Sequence, residues 1–175
     1  MSILSKTWLQ AWSTLPNLEF SVHCCKGGAK IANTTMERYR DGKISIEKFE
    51  LLEFDGDSEK LFPKSLRELF LQDCNGMNVS LSSGVVNCKS LRNVFLSHVR
   101  LGKNMLQTLL NSCPLIVSFI LQHCSGNLGK IKSDSLKVLK IHQRGGTWEI
   151  DAPNLVSLDY VGNQIPELKI ARQST

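Results

Sequence analysis

The feature that most constrains the fold of this chain is an apolar pattern that recurs along its length. Three stretches, SLRELFLQDC, SLRNVFLSHV and LIVSFILQHC, share one order: an apolar residue, two others, an apolar residue, one other, and a third apolar residue. This L-x-x-L-x-L frame begins at residues 46, 66, 91, 116, 136, 155 and 165, at intervals of 20, 25, 25, 20, 19 and then 10. Such self-similarity indicates a chain built from stacked copies of one structural unit.

The spacing of the frame predicts parallel strands. Alternate side chains of a strand point to the same side, so the second and third apolar positions of each frame should face a common core. One strand cannot bury this side alone, whereas strands stacked into a sheet can. All intervals but the last are within one residue of the about 20–29 residues of leucine-rich repeats. The predicted fold is α/β: a leucine-rich-repeat solenoid with a curved parallel sheet and irregular or helical outer returns, preceded by one helix. Strands are predicted near residues 50, 70, 95, 120, 140, 159 and 169.

The segments that connect the strands differ in composition. Residues 103–113 place apolar side chains at helical spacing and Asn104 can cap their start, so this return is predicted to be a helix. Residues 78–89 are rich in Ser and Gly and are predicted to be extended or 3₁₀. A small polar group is expected to bind backbone amides at the turn after a strand, a position occupied by Cys74, Cys124 and Asn163.

The residue between the second and third apolar positions should point away from the core, towards the concave face. In chain order, this row consists of Glu50, Phe70, Phe95, Ile120, Lys140, Asp159 and Lys169. An apolar centre flanked by charges is typical of a protein interface. Phe70, Phe95 and Ile120 are therefore predicted to form the partner-binding core. Lys140 and His142 are predicted to form its polar edge. The alternative is that a terminal segment or irregular repeats bury this row.

The opening segment has a different pattern. Leu4, Trp8 and Trp12 recur every fourth residue, which predicts an amphipathic helix that Pro16 ends. Residues 24–43 contain a Gly-Gly pair and many charges, which is typical of a flexible connection. Two placements of the tryptophan rings remain open. They cap the N-terminal end of the repeat core, or they stay exposed and bind a partner.

Composition and spacing argue against several classes of function. The 21 basic and 16 acidic residues are scattered, so no nucleic-acid partner is expected. The stretch PLIVSFIL is far shorter than the about 20 residues needed to cross a bilayer, so no membrane span is expected. Six cysteines without a C-x-x-C pair and four dispersed histidines predict neither a metal site nor a redox site. With no catalytic constellation, the chain is expected to be a binding module without a cofactor, and not an enzyme.

Three phrases of the sequence resemble one family. SILSKTWLQAWSTLPNLEF is similar to the end of an F-box, and LLNSCPLI and EIDAPNLVSLDY are similar to segments of the repeats that follow it in the family. On these phrases the chain is identified as a member of the plant F-box/leucine-rich-repeat proteins, which often carry an FBD-type tail. The resemblance implies a C-terminal remnant of an F-box at 1–20, a linker at 21–45 and leucine-rich repeats at 46–175.

The resemblance also implies a function. In the family, the F-box docks on the Skp adaptor of a Skp/cullin/F-box ubiquitin ligase, and the repeats select the protein to be ubiquitinated. The chain is therefore expected to bind a substrate protein of unknown identity in the nucleus or cytoplasm. Leu4, Trp8 and Trp12 would belong to the adaptor-binding remnant. The earlier F-box helices are absent before Met1, which makes the Skp adaptor a doubtful partner. The alternative is a truncated repeat protein or gene fragment that binds a partner without recruiting a ligase.

Overall fold

The computed structural model describes residues 18–23, 46–52, 64–74, 88–102, 104–126, 129–143 and 148–169, the first range as backbone alone. In chain order, the described elements are β1 (Leu18–His23), β2 (Ile46–Leu52), β3 (Glu68–Gln72), β4 (Asn93–Ser97), β5 (Arg100–Leu101), α1 (Met105–Ser112), β6 (Ser118–Gln122), β7 (Ser125–Gly126), β8 (Lys130–Lys132), β9 (Val138–His142), β10 (Glu149–Asp151), β11 (Ser157–Val161) and β12 (Glu167–Lys169). The predicted helix around Leu4, Trp8 and Trp12 lies outside the described residues.

A seven-stranded sheet with the order β1-β2-β3-β4-β6-β9-β11 carries the fold. Every neighbouring pair of strands in this sheet is parallel. The register joins equivalent positions of successive frames, so Leu69 lies beside Val94 and Val94 lies beside Phe119. Because each frame keeps the same side of its strand apolar, one register buries all of these positions together. The predicted fold class, an α/β solenoid of stacked parallel strands, is confirmed.

The core is continuous beneath the sheet. Leu69, Leu71 and Leu96 are fully buried, and Trp148 from an outer connection is among the largest buried side chains. The first apolar positions are buried as well; they are Ile46, Leu66, Leu91, Ile116 and Leu136. At β11 the equivalent residues are only partly buried; they are Leu155, Leu158 and Tyr160. Burial thus decreases towards the last strand of the sheet.

The predicted outer helix is present as α1, which follows β5. It buries Met105, Leu106, Leu109 and Leu110. The predicted cap at Asn104 is wrong, because its φ of 61° is left-handed and its side chain makes no capping bond. Within the described ranges, no helix is long and apolar enough to cross a membrane. Most of the crossing predicted at 78–89 lies outside the described residues.

A second, three-stranded parallel sheet, with the order β12-β10-β8, lies on the return path. Ile131 and Ile150 are its buried residues. On its charged side, Glu149 Oε1 accepts hydrogen bonds from Lys169 Nζ at 2.7 Å and Lys130 Nζ at 3.0 Å. These two bonds lower the pKa of Glu149 to about 2. One carboxylate therefore joins all three strands.

Two predictions about the ends of the main sheet need correction. The strand predicted near residue 169 is β12, which pairs with β10, so Lys169 is not part of the outward row. An interval of 10 residues is too short for a full turn back to the main sheet. At the other end, β1 pairs with β2 and crosses the predicted boundary at residue 20, so the sheet begins before residue 46. Phe20 and Val22 lie beside Phe49 and Leu51, but Asn17 stands where the frame requires an apolar residue.

The turn cysteines also bond to backbone carbonyls, which the prediction did not include. Cys74 Sγ donates to Leu51 O at 3.5 Å, and Cys124 Sγ donates to Leu96 O at 3.4 Å. A thiol carries a hydrogen and is a weak acceptor, which explains why it pairs with a carbonyl. Asn163, the third predicted turn residue, is exposed. The cysteines therefore tie each turn to the end of a preceding strand.

Candidate partner-binding face

The outward positions of six neighbouring strands lie in one row. Glu50 pairs with Phe70, Phe70 with Phe95, and Phe95 with Ile120. The row continues through Lys140 to Asp159. We call it the central row; it consists of Glu50, Phe70, Phe95, Ile120, Lys140 and Asp159. Each of these side chains is partly buried, whereas the residues on either side of it in the strand interior are directed into the core.

The centre of the row is an apolar patch. The rings of Phe70 and Phe95 have centroids 5.6 Å apart and are tilted by 33°. Lys48 Nζ lies 5.4 Å from the Phe70 centroid, in range of a cation–π interaction. Ile120 follows on the next strand. The patch therefore spans three strands, with adjacent members about 4.8 Å apart along the row.

The end of the central row at β9 and β11 is charged. Asp159 Oδ2 lies 3.1 Å from His142 Nε2 and 3.9 Å from Lys140 Nζ. Although close to Asp159, His142 Nε2 has no aligned hydrogen-bond partner. Lys140 and His142 were predicted to form the polar edge, and they share the Asp159 carboxylate. The prediction placed Asp159 in the row but did not assign it as their partner.

A second polar row, which the sequence interpretation missed, follows the carboxyl ends of β3, β4 and β6. Asp73, His98 and His123 have left-handed φ angles of 54°, 51° and 50°. The His98 and His123 rings have centroids 5.1 Å apart, and His98 Nδ1 lies 3.8 Å from Asp73 Oδ1. The sequence carried one signal of this row, because each of these residues lies two positions after the third apolar residue of its frame. Part of the exposed surface beside the apolar patch is therefore polar.

This left-handed geometry has a backbone cause. The N–H groups of Asp73, His98 and His123 donate to Ser97 O at 3.0 Å, Gln122 O at 2.9 Å and His142 O at 2.8 Å. Each turn residue thus bonds to the last residue of the next strand. The imidazoles are consequently held in a line by the repeat itself. Among the described residues, no group of three or more His, Cys, Asp and Glu side chains could hold a metal ion.

The buried thiols are poor nucleophiles. The side chains of Cys88 and Cys113 are buried. Burial, followed by the proximity of Cys113, raises the pKa of Cys88 to about 12. Burial raises the pKa of Cys113 to about 11. Both remain protonated at neutral pH, and a protonated thiol does not attack a substrate. Neither cysteine is suited to nucleophilic catalysis.

Leu4, Trp8 and Trp12, predicted as the adaptor-binding remnant, lie outside the described residues, so their placement stays a prediction. Phe70, Phe95, Ile120 and Lys140 lie in register as predicted, and His142 lies two residues after Lys140 in β9. The role of these five residues in binding also stays a prediction.

The comparisons with known proteins agree with this architecture. Residues 58–175, more than half of the chain, match the family described as At1g61320/AtMIF1, LRR domain. The chain is also 29% identical, over 188 aligned positions, to the Arabidopsis thaliana protein named putative F-box protein At1g49610. The alignment covers 90% of this chain and 48% of that relative, so the chain spans about half the relative's length. No solved structure matches the chain. The repeated frames, the stacked strands and these matches show that the chain belongs to the At1g61320/AtMIF1 leucine-rich-repeat family, and they confirm its resemblance to plant F-box/leucine-rich-repeat proteins.

Proposed function

We propose that this chain is a protein-binding module that holds its partner on the central row. The observation that carries the proposal is the patch of Phe70, Phe95 and Ile120, which follow one another in register on the side away from the core. Polar residues at these outward positions would leave the core unchanged, so the sheet does not need the apolar patch for its own stability. Its removal from water by a partner would contribute about 25 cal/mol per Å² of apolar surface.

The polar edge would orient the partner. Asp159 lies beside both Lys140 and His142, so these two side chains already share one carboxylate. An acidic group on the partner could replace Asp159 beside them. Since these side chains are one third to nearly one half exposed, the exchange would contribute more to orientation than to affinity.

We propose further that the bound protein is the substrate of a Skp/cullin/F-box ubiquitin ligase in the nucleus or cytoplasm, and that ubiquitin transfer occurs on other subunits. The name of the similar Arabidopsis protein, putative F-box protein, supports this role. We also propose that residues 1–20 are the C-terminal part of an F-box, 21–45 a linker and the rest repeats, apart from the early start of the sheet at β1.

The test compares proteins captured by the tagged chain with those captured by Phe70→Ala and Phe95→Ala. Candidates that depend on both rings are then purified, and their affinity is measured by calorimetry. Each substitution is expected to weaken binding by about 2 kcal/mol or more, or roughly 30-fold. Leu168→Ala is the matched control, because Leu168 is 41% exposed but lies in the outer sheet.

Two outcomes would count against the proposal. If Phe70→Ala and Phe95→Ala lower thermal stability as much as a core substitution does, the central row belongs to the core. If no purified partner depends on either ring, the row is not the binding face. Binding of the partner without binding of a purified Skp adaptor would instead favour the alternative of a repeat module that recruits no ligase.

A further inference from the structure

The parallel strands of the main sheet all begin at one edge, and the proposed function does not use this edge. We call it the amino edge. It contains the residue just before each strand and the turns at 64–65, 89–90, 114–115, 134–135 and 153–154. Between residues 92 and 156, this edge contains an open groove with a volume of about 770 Å³.

Equivalent residues of successive repeats line the groove. Arg92, Val117, Lys137 and Val156 precede β4, β6, β9 and β11, and all four are lining residues. Arg92 O accepts the N–H groups of Val117 at 2.9 Å and of the next residue at 3.1 Å. Lys137 O accepts those of Val156 at 2.8 Å and of the next residue at 2.9 Å. The backbone bonds fix this row, in which the backbones of Arg92 and Lys137 lie roughly 10 Å apart.

The lining of the groove carries positive charge. Arg92 and Lys137 are exposed, and within the described ranges neither forms an ion pair. In contrast, Arg67, one repeat earlier, lies 3.5 Å from Glu47 through Nη1 and Oε1. Asp134 is the acidic residue among the groove's lining side chains. Two cations against one anion leave the groove net positive.

The same groove exposes apolar side chains. Leu115 is 47% exposed and Val156 is 82% exposed, and both line it. Pro114 and Pro153 shape the adjacent turns and donate no backbone N–H. Single exposed apolar residues are ordinary on a protein surface, but here apolar and basic positions alternate along one groove. A ligand that is complementary to this alternation has both acidic and apolar groups.

We infer that the amino-edge groove is a second protein-docking site, which holds an extended segment with acidic side chains and at least one apolar side chain. Its carboxylates would pair with the Arg92 fork and with Lys137, while its apolar side chain would cover Leu115 and Val156. Phe95 lies three residues after Arg92, about 10 Å along the strand. One partner could therefore contact the groove and the central row together.

The experiment measures the binding of fluorescein-labelled peptides to the full chain by anisotropy. The probe is a peptide of three Asp-Glu-Leu triplets. Its controls have Asn-Gln-Leu triplets, which remove the charges, or Asp-Glu-Ser triplets, which remove the apolar groups. Both controls should bind at least about tenfold more weakly than the probe. Binding of the probe should also weaken as the salt concentration rises.

Substitutions locate the site. Arg92→Glu and Lys137→Glu should each weaken binding of the Asp-Glu-Leu peptide at least about tenfold. Leu115→Ser should weaken it as well. Arg100→Glu is the matched control, because it makes the same charge change at an exposed residue of β5 and should leave binding unchanged. Phe70→Ala should also leave it unchanged, which separates this site from the central row.

The inference is overturned if the Asp-Glu-Leu peptide does not bind, or if its binding is insensitive to Arg92→Glu and Lys137→Glu. It is also overturned if the Asp-Glu-Ser peptide, or a poly(U) oligonucleotide, binds as tightly with the same dependence on these residues. That result would identify a general anion surface. Thermal unfolding is recorded for each variant. If Arg92→Glu unfolds the chain, Arg92→Gln takes its place in the same comparison.

Discussion

At the scale of single residues, the pleat of a strand gives neighbours opposite environments. Leu71 is fully buried, whereas Phe70 beside it is partly buried on the outward side. The same contrast holds for Leu96 and Phe95 in the next strand. The contribution of each residue to stability therefore depends on its position in the frame more than on its size.

Replacing Leu71 or Leu96 by Ala should lower the free energy of unfolding by about 2–5 kcal/mol, because each change empties a fully buried site. Urea denaturation monitored by circular dichroism measures the loss. Gln72→Ala serves as the control, since Gln72 is exposed in the same strand and should change stability by less than about 0.5 kcal/mol. Losses below about 1 kcal/mol for the two leucines would contradict the buried register.

The buried thiols make stability depend on alkaline pH. Burial raises the pKa of Cys88 from 9.0 to about 12 in the folded chain. The thiol of the unfolded chain therefore ionises first, so the stabilisation is complete below pH 9 and is lost as pH rises towards 12. The slope is at most about 1.4 kcal/mol per pH unit for one thiol.

Urea denaturation at pH 7.5 and pH 10 tests this effect. Cys88→Ala should decrease the drop in stability between the two pH values, because it removes one group that titrates in the unfolded state. The comparison between wild type and variant cancels the lysines and tyrosines that titrate in the same range. An equal drop in both proteins would show that Cys88 ionises alike in the folded and unfolded chain.

At the scale of elements, sequence predicts strands better than the parts that join them. The apolar frame locates the core side of β3, β4, β6 and β9, because period-two burial is a direct consequence of strand geometry. The capping prediction at Asn104 failed, because capping depends on backbone angles and on which donor or acceptor is nearby. A single left-handed φ at the start of one helix leaves no periodic signal.

Side chains that bind a neighbouring repeat were also missed. Ser65 Oγ accepts from Ile46 N at 3.1 Å and donates to Ile46 O at 3.0 Å. Ser135 Oγ donates to Ile116 O at 2.8 Å. The recurring serine before the first apolar position was visible in the sequence. Its role was not, because its partner lies 19 residues away.

One side chain of α1 extends the outer sheet. Gln107 Nε2 donates to Lys132 O at 2.9 Å, and Gln107 Oε1 accepts from Lys132 N at 2.9 Å. The amide thus pairs with the free edge of β8 as a neighbouring strand would. Gln107→Glu keeps the acceptor and loses the donor, so it should lower the free energy of unfolding by about 0.5–1.5 kcal/mol.

Hydrogen exchange at the Lys132 amide, followed by NMR, measures this contact directly. Gln107→Ala removes both bonds and should speed exchange more than Gln107→Glu does. Thr108→Val is the control, because it alters a neighbouring side chain of α1 whose hydroxyl bonds only within the helix region, to Asn104 O. Unchanged exchange at Lys132 in Gln107→Ala would mean that the amide does not protect β8.

At the scale of the whole molecule, the repeat architecture followed from the sequence, while the arrangement of surfaces followed only in part. Phe70, Phe95 and Ile120 could be placed in a row because register repeats with the frame. The amino-edge groove could not be predicted, because it joins turns from successive repeats whose relative height depends on each connection. Rows at one position of the frame are therefore predictable, whereas the depth of a groove between turns is not.

The same architecture determines how a local defect spreads. Each strand of the main sheet pairs only with its neighbours, and in the described chain β11 pairs with β9 alone within that sheet. Leu121 in β6 is fully buried, whereas Leu158 in β11 is partly buried. In a solenoid, stability is the sum of local repeat terms and nearest-neighbour interfaces. A defect at β6 should therefore affect strands on both sides, and a defect at β11 should stay local.

Hydrogen exchange of Leu121→Ala and Leu158→Ala measures this spread. Leu121→Ala should cost about 2–5 kcal/mol and raise exchange in β4, β6 and β9 together. Leu158→Ala should cost less, because its site is already partly hydrated, and should raise exchange in β11 and then β9 while β3 and β4 keep their protection. Equal loss of protection in β3 and β11 after Leu158→Ala would contradict a local defect and show that these strands open as one unit. Coupling between neighbouring repeats would then exceed the local stability of every repeat.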